Sequence, residues 1–206
     1  PDGSRLKYWG NAIHRGRKNE NAQIGYWGME LGRRLVEAHK VPICFINGAV
    51  GGTRIDMHQR NPLSPEDAST IYGRLLWRVK EAGLTHAIKA VIWHQGENDM
   101  FSKEFKPNYG KNLQNFLAKW RSDLKTPKLK FYIGELCTKT VWGMDNRFNM
   151  YAIRAGQKFV TEMDPLAQYI PTSHDAVEIG GGTGLHYHYG TLGQLEHGVN
   201  YADAYL

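Results

Sequence analysis

An α/β fold with a mostly parallel sheet is predicted by two observations. Short apolar runs alternate with longer segments of helical periodicity, the pattern of a parallel sheet covered on both faces. Two of those runs break off abruptly, Val41–Ile46 into NGAVGGT and Ala90–Trp93 into HQGEND. In open α/β sheets, ligands bind just beyond the carboxyl ends of strands.

Taken in order, residues 24–40 read as a helix, with Trp27, Leu31, Leu35 and Val36 on one stripe. Val41–Ile46 follows as a strand, in which Pro42 is tolerable only near the start or on an edge. Pro62 marks a loop. Ser64 then has the character of an N-cap with Pro65 at the first helical position, opening a helix through Ile71, Leu75, Leu76 and Val79 that Gly83 stops. Ala87–Trp93 is the next strand. A helix over 108–124 carries Leu113, Phe116, Leu117 and Trp120, and Leu129–Gly134 is a strand. Residues 146–163 form a helix, 168–172 a short strand, 180–184 a loop and 192–205 a closing helix. The first twenty-odd residues contain no credible strand, as in a sheet that lacks its first βα unit.

Bulk properties narrow the class. At 206 residues and 23.4 kDa, with 41% apolar and 22% charged residues, the chain is expected to be one domain, residues 1–206. No apolar run reaches the ~20 residues of a membrane helix. The chain opens on Pro1 rather than Met, so sequence upstream is expected and the absence of a leader carries no weight on export. The net charge of +6 is spread among 20 acids, and its densest cluster is Arg15, Arg17 and Lys18. Without a nucleic-acid-binding motif this reads as a solvated basic surface, with neither nucleic acid nor membrane as partner. Cys44 reads as a small core residue and Cys137 ends a strand, and two cysteines make no disulfide framework, with one bridge between them left open.

Three clusters carry the chemistry. In His94–Asp99, six polar or glycine residues follow a buried strand with no packing reason to be together. The alternative is a polar loop in which Asn98 or Asp99 caps a helix. Gly51 and Gly52 let backbone N–H groups approach a bound atom, or form an ordinary turn. His186 and His188 stand in a loop entering the last helix, where a general base would be held yet reachable. Their H-x-H spacing also suits a metal pair, but no third ligand is identifiable, and plain surface histidines are the other alternative.

NGAVGGT, WHQGEND and GLHYHYGTLGQLEHG, in this order, resemble the sialate O-acetylesterase and acetylxylan esterase branch of the SGNH hydrolases, including carbohydrate esterase family six. The resemblance covers about Gly25 to Tyr205. It implies a three-layer α/β/α sandwich of flavodoxin-like type and hydrolysis of acetyl esters on sugars or polysaccharides, with no metal or organic cofactor. His186 would be the general base. Gly52 would donate a backbone N–H to the oxyanion, together with Gln95, Asn98 or both. Trp93, His94 and Tyr187 would contact the sugar, and export to a secreted or periplasmic compartment is implied.

Two departures from the family pattern matter. The nucleophile motif G-Q-S-N is absent: Ser4 has the wrong neighbours, and Ser64, Ser69, Ser102, Ser122 and Ser173 read as caps or surface. The nucleophile is therefore expected upstream of Pro1. The family's acid, three residues before the late histidine, is replaced by Thr183, so Glu97 is the better candidate to orient His186, and Asp175 is a lesser one. A non-catalytic sugar-binding module, using Trp93, Trp142 and Tyr187 as stacking surfaces, is the alternative reading.

Overall fold

The computed structural model describes residues 24–138, 140–141, 144–172 and 189–206. Its elements, in chain order, are α1 Gly25–His39, α2 Ile71–Glu81, β1 Ala90–Trp93, α3 Phe105–Asp123, β2 Lys130–Gly134, β3 Thr140–Val141, β4 Met144–Asp145, α4 Arg147–Met163, β5 Ala167–Ile170 and α5 Thr191–Tyr205. Short 3₁₀ turns cover Ile55–His58 and Asp99–Phe101. β1, β2 and β5 form a parallel sheet in the order β1-β2-β5, with Trp93 opposite Ile133 and Gly134 opposite Ile170 at the strand ends. β3 and β4 make a small antiparallel ribbon.

The two-residue period of the strands sorts side chains onto two faces. Val91, Trp93, Phe131 and Ile133 join one core with Leu76, Leu113, Leu117, Trp120, Ile153 and Val160 from α2, α3 and α4. Ala90, Ile92 and Tyr132 face the other way, into a second core with Leu31 and Leu35 of α1 and Tyr201 and Ala202 of α5. The helices of each layer supply their apolar stripes. On α4 this is Met150, Ile153, Gln157 and Val160, all buried. The result is the three-layer α/β/α sandwich. Among the described residues no helix is long and apolar enough to cross a membrane.

Three sequence expectations are corrected. Val41–Ile46 belongs to no ladder with a described strand. Its side chains nevertheless alternate as a strand's would, Ile43 and Phe45 packing on the α1/α5 core and Ile46 on the other. Apolar alternation fixes burial, whereas a ladder also needs a neighbouring backbone in register. Cys44 is consequently exposed rather than a core residue, while Cys137 is buried, and the two form no disulfide. The helix after Pro62 begins at Ile71, not at Ser64. Thr70 is its cap, accepting the Gly73 N–H at its Oγ1 over 2.9 Å. Ser64 and Pro65 instead lie in turns held by Asn61 and Asp67, with the Asp67 N–H donating to Ser64 O.

Candidate active site

β1 delivers its loop into a cluster of buried polar groups. Trp93 ends the strand with its indole in the core, 8% exposed, edge-on to His58 at 5.1 Å and donating from Nε1 to Tyr109 Oη over 3.3 Å. The expectation that Trp93 offers a stacking surface to a sugar is therefore wrong: its area goes into core burial. Gly96 has φ +142°, a conformation that L side chains rarely adopt, and a Cβ there would stand 2.6 Å from Ile153 Cγ2. Glycine is dictated at this point of the loop by both backbone and space.

Gln95 is buried and both protons of its amide are engaged. Nε2 donates to Thr53 O at 3.0 Å and to Asp99 Oδ2 at 2.5 Å. Both partners can only accept, so the nitrogen must face them and both amide protons are spent. Gln95 thus has no proton left to offer an oxyanion, contrary to expectation, and instead ties its own loop to the turn that carries Gly52. The Gln95 carbonyl accepts from Tyr109 Oη at 2.8 Å. Gln157 of α4 donates to Gly134 O at 3.0 Å and accepts the Leu136 N–H at 3.1 Å, which secures the end of β2.

Gly52 lies in an exposed turn at φ +74° with open space around it. Thr53 and Gln95 are in direct contact, so the loops after Ile46 and Trp93 meet, although Val41–Ile46 is not a strand of the described sheet. Thr53 Oγ1 donates to Val50 O at 2.7 Å and sits 2.7 Å from His58 Nε2. A hydroxyl has one proton, so His58 is the donor in the second bond and carries its hydrogen on Nε2. Burial holds the His58 ring well below the ordinary histidine range, at about 4.

Asn98 is exposed and starts the Asp99–Phe101 turn without a side-chain cap bond. Its amide is free of that capping duty. Glu97 is half-buried with Oε1 3.5 Å from His94 Nε2, an ion-pair distance. His94 does not face outward as a sugar contact would. Its ring packs edge-on against Tyr189 at 5.5 Å and His197 at 4.8 Å. Among the described residues the ring nitrogens of both histidines are buried without hydrogen-bond partners. Burial pushes His197 down to about 2, so it is neutral at any working pH.

His186 and Tyr187 lie outside the described residues, as do His188, Trp142, Thr183, Asp175, Ser4 and Ser173. The flanks of the segment that carries His186 are described. Thr172 donates its N–H to Glu135 Oε2 at 3.3 Å, and Tyr189 Oη lies 3.3 Å from Thr172 Oγ1. Glu135, just past β2, is itself paired with Arg154 Nη1 at 3.0 Å. Among the described residues no group of three His, Cys, Asp or Glu side chains is placed to hold a metal.

Sequence reasoning missed His58, Tyr109 and His197, and read Asp99 only as a member of the polar cluster or a helix cap. Asp99 alone had a local signal, its i,i+4 spacing from Gln95. The others meet the site only through tertiary packing.

The loops after Ile46 and Trp93, joined to each other beside a parallel sheet held between two helix layers, define a protein of the α/β class. Comparison with known proteins sharpens this. Residues 9–206 match the family described as carbohydrate esterase, sialic acid-specific acetylesterase, and the chain belongs to that family. A probable carbohydrate esterase of Arabidopsis thaliana, At4g34215, is 31% identical over 98 residues, 47% of this chain. That stretch spans 35% of the plant protein's length. The X-ray structure of At4g34215 superposes with a TM-score of 0.72 at 22% identity, covering 91% of this chain and 70% of that one. The carbohydrate acetylesterase XAC1771 of Xanthomonas citri superposes with a TM-score of 0.65 at 17% identity, covering 93% and 44%. Both superpositions establish the fold.

Proposed function

We propose that this protein is a carbohydrate O-acetylesterase that removes acetyl groups from sugars or polysaccharides by serine-type acyl transfer. The observation that carries the reading is the junction of the Gly52 turn with the His94–Asp99 loop through Gln95, Thr53 and Asp99. It joins the loop that carries Gly52 to the loop that carries Asn98, which supports a shared role for the Gly52 backbone N–H and the Asn98 amide as oxyanion donors. Each such donor is typically worth about 3 kcal/mol to a developing oxyanion.

The serine comes from outside the described residues. Ser69 and Ser102, within them, are committed to turn and cap bonds with Asp67 and Phe105. His186 takes the serine proton as Oγ attacks the acetyl carbonyl, and the tetrahedral oxyanion rests on Gly52 and Asn98. The imidazolium, steadied by Glu97, then protonates the departing sugar oxygen. Water repeats the sequence on the acetyl-serine and releases acetate. A polysaccharide substrate fits an exported protein.

Labelling with a serine-reactive fluorophosphonate, mapped by mass spectrometry, together with acetate release from O-acetylated xylo-oligosaccharides and O-acetylated sialic acid, tests the reading. One labelled serine, in the sequence upstream of Pro1, and acetate release are expected of protein that carries that sequence, and neither of residues 1–206 alone. Sugar binding by the longer protein with neither label nor acetate would replace the esterase by a binding module.

A further inference from the structure

Asp99 is fully buried, 0% exposed, at the centre of the junction between the two loops. Its carboxylate accepts the Ile55 N–H at 3.2 and 3.1 Å on its two oxygens and the Gln95 amide at 2.5 Å. The same Gln95 nitrogen continues to Thr53 O at 3.0 Å. One carboxylate therefore holds Thr53 through Gln95 and Ile55 directly, the residues that immediately follow Gly52 in the chain.

Among the described residues no cation is bonded to this charge. Arg54, its basic neighbour, is committed to Asp56 at 2.9 Å. The charged and titratable groups that act on Asp99 are Arg54 and Asp56 beside the Ile55–His58 turn and Tyr109 from α3. An acid kept in such a place and satisfied only by dipoles costs more than an apolar residue would. What it supplies in return is directional: acceptor contacts that no apolar side chain can make, two on the Ile55 N–H and one on the Gln95 amide that reaches Thr53 O.

We propose that Asp99 is a positioning residue that fixes the Gly51–Thr53 turn against the His94–Asn98 loop and so sets where the Gly52 N–H points. The use of that N–H for an oxyanion rests on the esterase reading; the coupling of the two loops does not. Burial raises the Asp99 carboxyl to about 6, which brings its ionisation into an accessible range and makes the coupling readable without turnover.

The test is a pH titration of the ¹⁵N-labelled protein followed at the Ile55, Thr53 and Gly52 amides, with the Asp99 carboxyl carbon followed in parallel. All three amides are expected to shift with the midpoint of the carboxyl. Movement of Ile55 alone, with Gly52 and Thr53 stationary, overturns the proposal. In Asp99→Asn the shifts should vanish. The Ile55 amide should also exchange with solvent roughly 10–100-fold faster, the equivalent of one charge-assisted hydrogen bond. Unchanged exchange overturns the proposal. Should that variant not fold, the wild-type titration decides. If the wild type releases acetate, Asp99→Asn should lower kcat at least about 10-fold with KM held, whereas a raised KM at unchanged kcat counts against a positioning role. Absence of acetate release by protein that carries the sequence upstream of Pro1 refutes the esterase reading alone.

Discussion

Acidification should expose the neutral, buried state of His58. The folded ring titrates at about 4 against an ordinary 6.5 because burial penalises its charged form. A depressed folded value means that stability is fully present above about pH 6.5 and is lost as the pH falls toward 4. At about 1.4 kcal/mol per pH unit, the loss by pH 4 is roughly 3 kcal/mol. Asp99 works in the opposite sense. Its folded value of about 6 stands above the ordinary 3.8, so its charge opposes folding above pH 6 and that cost is relieved on acidification. A bare pH–stability curve therefore mixes the two. The clean measurement is the stability difference between wild type and His58→Gln, from urea unfolding at about pH 7 and pH 4, which should shrink by about 3 kcal/mol. Long-range ¹H–¹⁵N spectra should show the Nε2–H tautomer down to about pH 5. A His58 midpoint near 6.5, or an Nδ1–H tautomer, would refute both the burial argument and the assignment of Thr53 as acceptor.

Three further outcomes are expected. Gly96→Ala should destabilise by about 2–5 kcal/mol in chemical denaturation, from the positive φ and the contact with Ile153 together; a loss below 1 kcal/mol would deny that strain. Tyr201→Phe should cost about 1 kcal/mol by removing the bond from its hydroxyl to Trp93 O, with the fold retained in circular dichroism. In protein that turns over an aryl acetate, Glu97→Gln should lower kcat by orders of magnitude at nearly constant melting temperature, and Thr183→Ala should do far less.

Much of the architecture was legible because long helices announce themselves. Leu113, Phe116, Leu117 and Trp120 repeat at helical spacing over about two turns and locate α3 without reference to anything distant. The structure differs only in starting it at Phe105, with Pro107 in the first turn, where backbone N–H groups have no helical acceptor in any case. Ser64-Pro65 misled because the same dipeptide suits a turn, and the Asp67 side chain, bonded by Asn61 and Ser69, decided in favour of turns. Val41–Ile46 shows the limit of periodicity: alternation reports which faces are buried, not whether a backbone partner is present.

The site divides along similar lines. His94–Asp99 stood out locally, since polar residues crowded at the end of an apolar strand have no packing motive. Their individual duties did not, because each is set by a residue far along the chain. Gln95 donates to Thr53, 42 positions away, and Asp99 receives Ile55, 44 positions away. Trp93 looked like a platform by type and became core by position.

The pairing of α1 with α5 has a consequence for how the chain is made. Trp27 packs on Tyr201 with ring centroids 5.4 Å apart, and a Cβ at Gly198 would stand only 2.5 Å from Trp27 O, so the two helices meet almost backbone to backbone. The face of α1 that holds Leu31 and Leu35 is thus completed by residues synthesised roughly 150 positions later. At about 5–20 residues per second, a ribosome leaves that face uncovered for on the order of ten seconds or more. During this interval α1 is an early-exposed, late-buried surface, and chaperones that bind nascent apolar helices have their natural target there.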